Sequence, residues 1–174
     1  MHKKEFTVRN AEHTEFDSIG KLMVKVYSSL EGFPKESDQP EYYEMLSKVG
    51  ELTKKPGVEL LVAVSSEGKI AGAIVYFSDM KYYGSGGTAI NESNAGGFRL
   101  LAVDPSARGQ GIGKLLVNEC IRKTRERKLN QVIIHTTRAM QTAWQMYENL
   151  GFERSEGLDF MQGKIPVFGF RLLL

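Results

Sequence analysis

The chain has little cysteine and little histidine: one cysteine, Cys120, and three histidines among 174 residues. A single cysteine excludes an internal disulfide framework and fits a reducing compartment. The scattered histidines make no metal-ligand spacing, so no metal site is expected. No apolar run approaches the roughly 20 residues of a membrane-spanning helix. The opening MHKKEFTVRN has no apolar stretch behind its charges, which argues against a secretory signal. The net charge is only +2, too small to indicate nucleic acid or a membrane surface as partner. Repeats, low-complexity tracts and long linkers are missing as well. What remains is the expectation of a cytoplasmic protein with one domain over residues 1–174. At 41% apolar and 25% charged, it is long enough to bury a core.

Hydrophobic periodicity supplies the elements. Lys4–Asn10 alternates as a half-buried strand. Thr14 can cap a helix over Glu15–Leu30, which Gly32 and Pro34 end. A second helix is expected over Pro40–Leu52, then two strands, Glu59–Ser65 and Lys69–Ser78, joined by a hairpin turn at Ser66-Glu67-Gly68. Tyr82–Gly97, rich in Gly, Ser and Asn, reads as a mobile loop bordering a site. Strand Phe98–Val103, helix Gly113–Lys128, strand Gln131–Thr136 and helix Ala139–Leu150 follow, and Gly151 ends the last helix. Phe152–Arg154 and Pro166–Leu173 are strand-like, with Glu156–Lys164 between them. The order β-α-α-β-β-β-α-β-α-β-β implies an α/β fold, a mixed sheet with helices on both faces. An exposed C-terminal strand such as Val167–Leu174 could pair two copies into a homodimer.

Between strand Phe98–Val103 and its helix lies Arg108-Gly109-Gln110-Gly111-Ile112-Gly113-Lys114. Strand, glycine-rich turn, helix is an anion-binding arrangement, because glycines admit close backbone approach and a helix start presents unpaired N–H groups. A Walker loop fails at Arg108 and Leu115, and a dinucleotide fingerprint fails at Lys114. What stands is Arg108, Gly111 and Gly113 in the pattern [RQ]-x-x-G-x-[GA], followed by Ala143-Trp144-Gln145-Met146-Tyr147-Glu148-Asn149-Leu150-Gly151-Phe152. In these two motifs, and in the order of its elements, the chain resembles the GCN5-related N-acetyltransferase (GNAT) family.

The resemblance implies acetyl-CoA as donor and direct transfer of its acetyl group to a primary amine of a small molecule or peptide. It implies that backbone amides of the turn Gln110, Gly111, Ile112, Gly113 and Lys114 hold the pyrophosphate, with Gly109 also on the cofactor and Arg108 adding charge nearby. It implies that Leu101, Ala102 and Val103 pair with the pantetheine arm, where strands Phe98–Val103 and Gln131–Thr136 splay. Tyr147 becomes the acid that protonates the departing thiolate. A non-catalytic acyl-CoA-binding module on the same fold is the alternative.

The general base is not identified. Arg99 stands where many relatives have a glutamate, and an arginine cannot serve. His135, Glu31 and Glu92 are weaker candidates, each with a structural or surface reading. Met140 stands where many members carry an asparagine that touches the cofactor arm. The acceptor side is expected from Glu31–Asp38, the Tyr82–Gly97 loop and the C-terminal strands, with Tyr27, Phe33, Tyr82 and Tyr83 either an aromatic wall there or equally part of the core. Cys120 reads as core, and Arg122–Lys128 as a solvated helix face.

Overall fold

The computed structural model describes residues 5–174, so the expected strand start at Lys4 lies outside the described residues. The chain runs β1 (Phe6–Asn10), α1 (Phe16–Ser28), α2 (Pro40–Ser47), β2 (Val58–Ser65), β3 (Ile70–Phe77), β4 (Ala95–Val103), α3 (Ile112–Glu126), β5 (Gln131–Thr136), α4 (Gln141–Asn149), β6 (Glu153–Arg154), β7 (Phe160–Gln162) and β8 (Ile165–Leu173). The strands form one eight-stranded mixed sheet in the order β1-β2-β3-β4-β5-β8-β6, with β7 also paired to β8. Among the described residues, only β4 and β5 run parallel.

Both faces of the sheet are covered, which is why β2 and β3 read as near-continuous apolar runs. Alternate side chains divide between two cores. Leu60, Val62, Ala73 and Val75 meet Ile19, Met23 and Leu46 of α1 and α2. Leu61, Ala63 and Ile74 meet Leu116, Val117, Cys120 and Ile121 of α3. Each large apolar side chain buried in this way contributes about 1.5–3 kcal/mol. The polar face of α3 is ion-paired: Arg122 with Glu119 and Glu126, and Lys123 and Arg127 with Glu59.

Several expectations need correction. Thr14 does not cap α1. The entry is a single 3-10 turn, His13–Glu15, in which the Glu15 carboxylate accepts the Glu12 N–H at 2.8 Å and two bonds from Arg9 at 2.8 and 3.0 Å. A carboxylate so placed gains charge-assisted bonds that a threonine hydroxyl lacks. The second helix stops at Ser47, and Val49–Lys54 continues as a 3-10 turn; Gly50 is a poor helix residue there. Ala95–Gly97 belongs to β4 rather than to the preceding loop, and that loop is anchored by the buried Tyr83 and Ala89. The segment Glu156–Lys164 contains an additional strand, β7. Finally, β8 is no open edge. It is flanked by β5 on one side and by β6 and β7 on the other, and Gly169 bridges the gap between those two through Ser155 and Asp159.

The feature that makes a site is the junction of β4 and β5. Their parallel register covers only Ala95–Gly97 against Gln131–Ile133. Beyond Gly97 the two strands part. Opposite them on β3 the register slips, so that Leu100 and Leu101 face the single residue Ile74. This bulge holds Leu100 at φ 59°, a strained value for a leucine. It also breaks the alternation: Phe98 packs on the α3 side, Leu100 on the α1 side and Leu101 on the α3 side again.

Candidate functional site

Where β4 and β5 separate, a cleft of about 550 Å³ opens between α1, α3 and α4. Of the residues expected on a cofactor, Leu101, Val103, Arg108, Gly109, Gly111, Ile112, Gly113 and Lys114 line it, and so does Tyr147. Ala102 and Gln110 do not. Ala102 packs its side chain in the core opposite Ala73, and Gln110 faces a separate cavity of about 80 Å³.

The turn is built as an anion cradle. Gly111 is the N-cap of α3 at φ 76°, and Gly109 lies at φ 80°. Left-handed backbone suits glycine at both positions, and neither has any atom within 4 Å of where a Cβ would stand. The first helical bond is Leu115 N–H to Gly111 C=O at 3.0 Å. The N–H groups of Ile112, Gly113 and Lys114 are therefore left without helix acceptors. Arg108 and the first-turn Lys114 are exposed beside them. A helix terminus is worth only about 0.3–1 kcal/mol to an exposed anion, so the directed N–H groups carry more.

At the other end of the cleft, Tyr147 forms the floor. Its ring packs on Phe98 and Phe152 at centroid distances of 5.7 and 5.8 Å. Burial pushes its phenol well above the ordinary range, so it stays protonated across neutral pH. At the end of β5 and just beyond, the hydroxyls of Thr136 and Thr137 are buried with no hydrogen-bond partner among the described residues. Both residues line the cleft, as does Met140. Orphaned buried hydroxyls are uncommon, since each one costs free energy until it is paired. Their signal was absent from the sequence, where Thr136 read only as the end of a strand and Thr137 fell between elements.

The candidate bases fare differently. His135 lines the cleft, but both ring nitrogens are engaged, Nε2 with the Leu158 carbonyl at 2.8 Å and Nδ1 with the Tyr83 hydroxyl at 3.0 Å. Glu92 is paired with Arg171. Glu31 is exposed and does not line the cleft. The aromatic wall consists of Tyr27, Phe33, Tyr42 and Tyr83; Tyr82 lines an adjoining cavity instead. Tyr42, on α2, is not among the residues expected on that wall. The Tyr27 hydroxyl donates to the Leu101 carbonyl at 3.1 Å, tying α1 to the bulged part of β4.

Comparison with known proteins agrees with this geometry. Over residues 23–152 the chain matches the acetyltransferase (GNAT) family. It is 31% identical over 96 residues to a mycothiol acetyltransferase of Thermobifida fusca, a match that covers 55% of this chain and 29% of that protein. The chain thus spans less than a third of the curated relatives it matches. An acetyltransferase of the GNAT family from Staphylococcus aureus Mu50 superposes with a TM-score of 0.74 at 16% identity, covering 98% of this chain and 99% of that one. A PaiA N-acetyltransferase from Thermoplasma acidophilum, solved in complex with coenzyme A, gives a TM-score of 0.71 at 13% identity, covering 95% and 98%. At those identities the likeness is one of fold. With the family match across three quarters of the sequence, the chain belongs to the acetyltransferase (GNAT) family.

Proposed function

We propose that this cleft binds acetyl-CoA and directs its acetyl group to a primary amine of a small molecule or peptide, by direct transfer. The observation that carries this reading is the opening of β4 from β5 between an amide-lined anion cradle and the buried phenol of Tyr147. The cleft fits the donor chemically. Positive-φ glycines with open space suit a pyrophosphate, and the orphaned Thr136 and Thr137 hydroxyls suit the amides of a pantetheine arm. Those hydroxyls also offer the polar contact that Met140 cannot make. When bound, acetyl-CoA supplies the acyl group as a thioester.

The chain's own residues then have separable roles. Amides of Ile112, Gly113 and Lys114 hold the diphosphate, with Arg108 adding charge at the rim. The bulge at Leu100–Leu101 turns backbone groups of β4 toward the arm. Tyr147 keeps a proton at the cleft floor, available to a leaving thiolate. No residue is placed as a covalent carrier: Cys120 is fully buried in the α3 core, and burial raises its thiol. The names of the curated relatives go with acetyl transfer. A free, buried thiol goes with a reducing, cytoplasmic setting. Release of coenzyme A thiol from acetyl-CoA in the presence of an amine panel tests the reading. Coenzyme A binding without turnover on any amine would mark a binding module instead.

A further inference from the structure

We propose that the amine acceptor carries a carboxylate on an aromatic or apolar body, and that Arg99 holds that carboxylate. This rests on the transferase reading for the amine but not for the anion. Arg99 sits at the bulge of β4, half-buried, and lines both the main cleft and an adjoining cavity of about 500 Å³. The two spaces share the walls Tyr42, Ser85, Phe160 and Gln162. Its guanidinium has five N–H donors. Among the described residues it uses one, NH1 to the Tyr83 carbonyl at 3.0 Å, and lies 5.8 Å from the Tyr83 ring centroid.

Other part-buried cations in this protein are paired with carboxylates: Arg9 with Glu15, Lys123 with Glu59 and Arg171 with Glu92. Among the described residues Arg99 has no such partner, and residues 1–4 contain no acidic side chain. No Asp or Glu lines either cavity, while Lys55 adds a second cation to the adjoining one. The Arg99 charge is felt by Tyr27, Tyr42, Tyr83 and His135, lowering the pKa of each against the effect of burial on the phenols. A cleft with this charge repels polycations. A planar guanidinium with free donors instead matches a carboxylate in bidentate fashion, at far less desolvation cost once the pair forms.

The test is calorimetric titration of 3-phenylpropionate and of its neutral analogue 3-phenyl-1-propanol into the coenzyme A-saturated protein. We expect the acid to bind about tenfold or more tightly than the alcohol. Arg99→Gln should erase that preference, and Arg99→Lys should keep part of it. Equal binding of acid and alcohol, or a preference that survives in Arg99→Gln, would overturn the proposal. If Arg99→Gln fails to fold, the wild-type ratio and Arg99→Lys still decide it. A kinetic arm compares phenylalanine with phenethylamine, and a higher kcat/KM for the amine without the carboxylate also counts against the proposal. If no amine releases thiol while the acid binds through Arg99, the transferase reading fails and the anion site stands.

Discussion

The Tyr83 hydroxyl stands 3.0 Å from Nδ1 of His135, and the same ring's Nε2 stands 2.8 Å from the Leu158 carbonyl. A carbonyl can only accept, so Nε2 carries a hydrogen, and in the neutral ring Nδ1 accepts from the phenol. Both ring nitrogens of the imidazole are thus engaged. Burial holds its pKa below the ordinary histidine value, and Arg99 pushes it the same way.

That arrangement makes stability depend on pH. The unfolded chain takes up a proton near the ordinary value of about 6.5, and the native ring resists it. The contribution of His135 is complete above that pH and is lost as the pH falls below it. The thermal midpoint should therefore drop more between about pH 7.5 and 5.5 in the wild type than in His135→Gln. Carboxylates held low by partners remote from His135, Glu15 and Glu92 among them, act equally in both proteins and cancel in the difference.

With both ring nitrogens of His135 engaged and no carboxylate among the described residues lining the cleft, the proposed transfer leaves water to take the proton of the amine. The profile of kcat/KM against pH should rise until it reaches the pKa of the acceptor amine itself, about 10 for an alkylamine. A less basic acceptor should move the rise down by the difference in amine pKa. A rise fixed near neutrality for every acceptor would reveal a protein base.

Gly111 tests the anion cradle. The space around its missing Cβ is open, so a substitution meets no neighbour but must adopt φ 76°. Gly111→Val should weaken coenzyme A binding by about tenfold or more, equivalent to about 1.4 kcal/mol, while leaving the α3 core intact. Equilibrium titration with coenzyme A measures it.

Gly97 marks the last paired residue before the strands part. A Cβ there would lie 2.7 Å from the Ile133 carbonyl oxygen and 2.9 Å from the Met80 sulfur. Gly97→Val should cost about 1–3 kcal/mol in urea unfolding, as overpacking in a close-packed interior does.

What the sequence disclosed follows from which features are local. The buried face of α3, Leu116, Val117, Cys120, Ile121 and Thr124, is written in helical spacing, and the glycine turn in residue type. The bulge at Leu100 has no such signature, because a leucine at φ 59° is imposed by pairing with β3 and not by its own preference. Among the described residues Arg99 has no carboxylate partner, a property of tertiary packing that was equally hidden. The closed edge of β8 comes from β6, read in the sequence as the strand-like Phe152–Arg154, and from β7, whose three residues carry too little alternation to be read as a strand. The Glu15 cap was obscured by Thr14, a better cap by type, because the Arg9 that fixes Glu15 lies on a different element.

The most direct measurement counts coenzyme A thiol released and N-acetyl product formed with a carboxylate-bearing amine, in the wild type and in Tyr147→Phe. Tyr147 packs through its ring, so the variant keeps the Phe98 and Phe152 contacts and loses only the proton donor. We expect one thiol per acetylated amine in the wild type, and a kcat lower by about 10²-fold in the variant with coenzyme A affinity retained. Coenzyme A bound without thiol release on any amine, or a Tyr147→Phe protein as fast as the wild type, would contradict the account.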